Sequence, residues 1–203
     1  MKNKNHQDQS NMLCDRVFKR MNSTNLNSPF IKYGCEIVKY QPQYYKDGVY
    51  TKNEWISVSD IGESFDGEVL TKEEYLMVES AYVDTVKELL EVSGVKFLTI
   101  VGPDTTFYPR RTKAFNKENK AMYQVVSSLK EGQRIAASKI DTVLKASLRE
   151  LFWCALVNET KKVQVDVGYD YYLHFHSRLP EETIRKIARS HGLYCNPRKD
   201  PCL

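Results

Sequence analysis

The sequence predicts an α+β fold, a mainly antiparallel sheet with helices packed on one face. Three observations carry that prediction. Residues 163–176 alternate strictly, with Val163, Val165, Val167, Tyr169, Tyr171, Leu173 and Phe175 at the odd positions and mostly polar residues between them. A period of two is that of a half-buried strand. Residues 72–92 carry apolar side chains at helical spacing, behind a T-x-x-E capping box of Thr71 and Glu74. The full order of elements reads β-β-α-β-α-β-β-α, which suits one sheet layered against its helices.

Residues 1–28 are dominated by Asn, Gln, Lys and Ser, a composition that predicts a flexible polar arm. Residues 29–203 are then a single domain, the size one core supports. A first strand is expected over 34–40, where Cys35, Ile37 and Lys39 alternate with Glu36, Val38 and Tyr40. Residues 41–52 contain Pro42 and the Asp47-Gly48 pair and read as turns. A second strand is expected over 54–61. The helix of 72–92 stops before Gly94, and 96–101 (KFLTIV) is a short buried strand. Residues 102–120, with the basic cluster Arg110, Arg111 and Lys113, read as an exposed loop. Residues 121–129 fit a strand or a helix equally.

Ser138 is the expected cap of a helix over 139–151, with Ile140, Val143, Leu144, Leu148 and Leu151 at helical spacing. A strand over 152–158 and a polar turn lead into the alternating run, which is expected to be one long strand bent at Gly168. Pro180 opens a last helix that ends at Gly192.

Composition narrows the function classes. Hydrophobic residues make up 41% and aromatics 11%, enough for a packed core. No apolar run approaches the ~18 residues of a membrane-spanning helix. The N-terminal lysines are not followed by the apolar segment of a secretory signal. Five cysteines, an odd number without a CxxC pair, predict neither a zinc site nor a disulfide framework. Cys154 lies in an apolar run and reads as a small core residue. A reducing cytoplasm is the expected location.

Charge is segregated along the chain. Residues 54–95 hold eleven acids and two lysines, a net charge of −9, against +5 before them and +8 after. At ~100° per residue, Glu73, Asp84, Glu88 and Glu91 share one helix face, opposite Tyr75, Val78, Tyr82, Val86, Leu89 and Leu90. Glu63, Asp66 and Glu68 continue this acidic face before the helix. A solvated helix face carries the same pattern. The excess over what dipole compensation requires points instead to docking against a basic partner. Glu79 falls within the apolar stripe, so a structural ion pair or a tyrosine contact is expected for it.

The even face of the alternating run collects Asp166, Asp170, Tyr172, His174 and His176. Asp170, Tyr172 and His174 are expected to form a rigid contact surface for the same partner. The alternative is a small metal-dependent enzyme, with His174 and His176 sharing an ion beside Asp166 or Asp170, or a nucleic-acid-associated protein. H-x-H alone is a weak signal. No nucleophile elbow, phosphate-cradling glycine loop or dinucleotide-binding motif is present. Arg110, Arg111, Lys113, Lys117 and Lys120 offer phosphate contacts, but the acidic block repels a polyanion. The expectation is therefore a protein that catalyses no reaction and needs no cofactor.

Three phrases carry a resemblance: SDIGESFDGEVLTKEEYLMVESAYVDTV at 59–86, KIDTVLKASLRELFWCALV at 139–157 and VDVGYDYYLHF at 165–175. Together they resemble poorly characterised small bacterial immunity proteins of polymorphic toxin and contact-dependent inhibition systems, over roughly residues 54–195. The resemblance implies a cytoplasmic inhibitor that binds one cognate toxin domain, a basic nuclease being the simplest. The net positive total departs from that expectation, which only the 54–95 block meets.

Overall fold

A computed structural model describes residues 33–105, 113–168 and 170–196. The predicted arm and the basic pair Arg110 and Arg111 lie outside the described residues. In the described part, eleven strands form: β1 (Tyr33–Val38), β2 (Tyr45–Lys46), β3 (Val49–Tyr50), β4 (Ser64–Phe65), β5 (Glu68–Val69), β6 (Phe97–Asp104), β7 (Arg134–Ala136), β8 (Trp153–Asn158), β9 (Val163–Val167), β10 (Leu173–Ser177) and β11 (Tyr194–Cys195). Four α-helices accompany them among the described residues: α1 (Lys72–Val92), α2 (Asn116–Val126), α3 (Asp141–Leu148) and α4 (Glu181–Ser190). Seven strands make one antiparallel sheet in the order β11-β1-β10-β9-β8-β6-β7, and β2-β3 and β4-β5 are separate two-stranded hairpins. The α+β class is as predicted.

Strand register explains the core. Ile100, Leu156, Val165, Phe175 and Cys35 stand opposite one another across five strands. All are buried with Tyr82, Val86 and Leu89 of α1, Leu144 of α3 and Ile184 of α4. The helices therefore cover this face of the sheet, where apolar burial stabilises by roughly 25 cal/mol per Å². α1 forms over the expected residues. Thr71 Oγ1 accepts a bond from the Glu74 amide (3.1 Å), and Glu74 accepts one from the Thr71 amide (2.8 Å).

Several expectations are corrected. The run 163–176 is two strands: β9 and β10 pair antiparallel, with Val167 opposite Leu173. The expected strand at 54–61 is absent from the described sheet. Asp60 there accepts bonds from the amides of Ile56 and Ser57 (both 2.9 Å), winding Val58–Asp60 into a 3-10 turn. Such local bonds compete with sheet pairing. Ser138 does not cap a helix, because a 3-10 turn over Ala137–Lys139 precedes α3, which starts after Ile140 without a side-chain cap. Finally, Cys35 and Cys195 are joined in a disulfide (Cα–Cα 5.9 Å) that ties β11 to β1. Cys154 is a buried free thiol in the core, as expected. The segment 121–129 is helical as far as Val126, in α2, which begins at Asn116 and so replaces the end of the loop expected over 102–120.

Candidate functional site

The acidic face starts on a tight hairpin. Asp66 and Gly67 take left-handed φ values of 51° and 91° between β4 and β5, the conformation a two-residue I′ turn requires. The Leu70 amide donates to the Glu63 carbonyl (2.9 Å) and closes the hairpin onto the first turn of α1. Glu63, Asp66 and Glu68 are exposed there, and Glu73, Asp84 and Glu91 are exposed along α1. Among the described residues these six carboxylates make no ion pair; the basic residues of α1, Lys72 and Lys87, reach Glu118 and Asp141 instead (3.4 Å each). Two apolar side chains of the same elements stand in the open, Val69 (54% exposed) and Met77 (66%).

Glu88 departs from the group. It is half-buried, with Oε2 2.7 Å from His191 Nε2 at the end of α4, so it braces α1 against α4. Glu79 has the partner expected of it. Arg149 Nε and Nη2 donate to its two carboxylate oxygens at 2.6 and 2.7 Å, and Arg149 Nη1 donates to Asn119 Oδ1 at 3.2 Å.

Asp170 and Tyr172 lie in the β9–β10 turn rather than on a strand face. Asp170 and Tyr171 both have left-handed backbones (φ 55° and 62°), unfavourable for residues with large side chains. Surrounding hydroxyls hold them. Tyr40 donates to the Asp170 carbonyl (2.6 Å), Tyr82 to the Tyr171 carbonyl (2.5 Å), and Tyr171 itself to the Leu148 carbonyl (3.1 Å). Tyr82 belongs to the buried side of α1, so the turn packs against the helix face opposite the carboxylate stripe. The turn and the carboxylate stripe are therefore two separate surfaces. Around Tyr172 the sequence reading missed Tyr40, Tyr44 and Tyr50, whose rings pack in a chain (Tyr172–Tyr40 5.5 Å, Tyr40–Tyr50 4.8 Å, Tyr44–Tyr50 6.2 Å). Four tyrosines within residues 40–50 were the available signal.

Lys39 lies beneath that cluster, with Nζ 4.0 Å from the Trp55 ring centroid and 2.6 Å from Glu54 Oε1. Burial lowers its pKa from 10.5 to about 8, against the opposing pull of Glu54. The unfolded chain thus holds the extra proton between those values, and stability rises with pH across that window. Urea unfolding is expected to show a gain of about 1 kcal/mol from pH 8 to 9. A Lys39→Met variant is expected to lack that rise, and an equal rise in the variant would assign it to another group.

His174 is not on offer to a partner, which corrects its expected place on a contact surface. It is 5% exposed and His176 3%. In register, Val101, Ala155, Asp166, His174 and Glu36 form one row across β6, β8, β9, β10 and β1, on the sheet face away from the helices. His174 Nδ1 lies 2.8 Å from Asp166 Oδ2, and Nε2 lies 3.4 Å from Glu36 Oε1. Gln164 donates to Asp166 (3.0 Å) and the Asn196 side chain to Glu36. Burial raises the Asp166 pKa, but the facing charge and hydrogen bond of His174, with the charge of His176, hold it below the ordinary aspartate value. With a carboxylate on each side, a proton on each ring nitrogen would let His174 donate to both. That arrangement directs both nitrogens of His174 to carboxylates rather than to an ion shared with His176, whose ring centre is 6.5 Å away. Among the described residues, no three His, Cys, Asp or Glu side chains are grouped to hold a metal ion.

No protein family, curated protein or solved structure matches this chain. No described helix is long and apolar enough to cross a membrane.

Proposed function

We propose that this chain is an immunity-type binding protein of the cytoplasm that neutralises a cognate, basic toxin domain, with a nuclease as the simplest such toxin. One observation carries the reading: six exposed carboxylates on the β4–β5 hairpin and α1 make no ion pair among the described residues, and the same two elements expose Val69 and Met77. Exposed like charges repel one another, and a basic surface relieves that repulsion while speeding encounter. Val69 and Met77 supply apolar contact beside the charges, a combination found in many protein interfaces. No reaction is assigned to the protein, and the buried His174 row serves the fold.

The test is binding to a toxin domain, sought in the gene next to this chain's. Association is expected to slow at least about ten-fold between low salt and about 0.5 M NaCl, where screening is short-ranged. The Glu73→Lys, Asp84→Lys, Glu91→Lys variant is expected to associate more slowly still at low salt, with an unchanged circular dichroism spectrum. Association that ignores both salt and the three reversals would remove this face from the interface.

A further inference from the structure

The disulfide joins the shortest strand of the main sheet to its neighbour. β11 is two residues long and sits at the edge, with Ile37 opposite Cys195 and Val38 opposite Tyr194. Leu193 before it is buried in the core, and Cys195 and Asn196 are buried as well. Beyond the ladder, Asn196 donates from its amide to the Glu36 carbonyl (2.7 Å) and from its side chain to the Glu36 carboxylate. Glu36 is also the residue facing His174 Nε2. So short a ladder opens readily unless something else retains it.

We propose that the Cys35–Cys195 disulfide is a reversible latch, which holds β11 closed when oxidised and thereby fixes the Glu36 end of the Glu36–His174–Asp166 row. Closing is thiol–disulfide exchange with glutathione disulfide. The Cys195 thiolate attacks one glutathione sulfur, forming a mixed disulfide and expelling one glutathione thiolate. The Cys35 thiolate then attacks Cys195 Sγ, forming the protein disulfide and expelling the second. Two protein thiols lose two electrons and two protons, and one glutathione disulfide becomes two glutathione thiols. Excess glutathione reverses each step. Cys154 takes no part, because it lies on β8 in the middle of the sheet and not on the edge strand.

The full chain is equilibrated with glutathione disulfide or with dithiothreitol, and native amide exchange is followed by NMR. The oxidised protein is expected to show a 35–195 linkage by peptide mapping and free Cys154. On reduction, the Asn196 amide is expected to lose at least about ten-fold more protection than the Phe175 amide in β10, the pattern of local rather than global opening. The ring nitrogen shifts of His174 should move with it. A Cys195→Ser variant should match the reduced protein in either buffer, and the wild-type comparison stands alone if that variant does not fold. Free thiols at Cys35 and Cys195 after oxidation would overturn the proposal, and so would protection lost equally at Asn196 and Phe175.

Discussion

Arg149→Ala is expected to remove about 3–5 kcal/mol of stability, the usual result of leaving one member of a buried ion pair alone. The side chains of Glu79 and Arg149 are 1% and 6% exposed, so water cannot replace the lost partner. Burial disfavours the Arg149 charge, but the hydrogen bonds and field of Glu79 more than offset it and raise its pKa above the ordinary value. The guanidinium also stacks 4.0 Å from the centre of Phe115 and bonds Asn119. One side chain at the end of α3 thus fastens α1 and α2. A fall in melting temperature of roughly 10 °C is expected for a domain of this size. The double variant Glu79→Leu, Arg149→Leu should recover most of that loss, because apolar replacement of both partners removes the stranded charge. Urea unfolding checks both variants, and a single variant within about 1 kcal/mol of wild type would show that the pair is dispensable.

That Glu79 needs a partner was legible because the helix was, though not that the partner is Arg149. A capping box, a 3.6-residue period and a glycine stop agree over Lys72–Val92, so a carboxylate in the apolar stripe stood out. The β9–β10 hairpin was not legible from periodicity. Val167 and Leu173 pair across it, and the five residues between them preserve the odd–even phase. Alternation therefore runs unbroken through a chain reversal, and only the left-handed turn at Asp170 and Tyr171 marks the break. That misreading put Asp170, Tyr172 and His174 on one strand face. In the fold, two of them belong to the turn and the third is buried. The carboxylate stripe survived because charged residues opposite a buried helix face have nowhere else to go, whereas Glu88 met His191 from a distant helix. The Cys35–Cys195 pairing, separated by 160 residues, leaves no local spacing to read.

His174→Ala is expected to cost about 3–5 kcal/mol at pH 7, and that cost is expected to shrink as the pH falls toward 4. The imidazole lies between Asp166 and Glu36, so its removal leaves two carboxylates on neighbouring sides of a buried gap. In the wild type, Asp166 has a folded pKa below its ordinary 3.8. Its contribution is present above the unfolded value and is lost as the pH falls through the lower folded one. Without His174 the effect of burial prevails, and the folded pKa of Asp166 should rise above the unfolded one. The sign then reverses: the penalty is complete above the raised value and disappears below the unfolded value, where both states carry the proton. The Asp166 part of the gap between wild type and variant should therefore be widest at neutral pH. Urea unfolding at pH 7, 5.5 and 4.5 separates this from simple loss of packing, since a cavity costs the same at each pH. A constant difference across the three would mean that His174 supports the sheet by its volume and not by its charge.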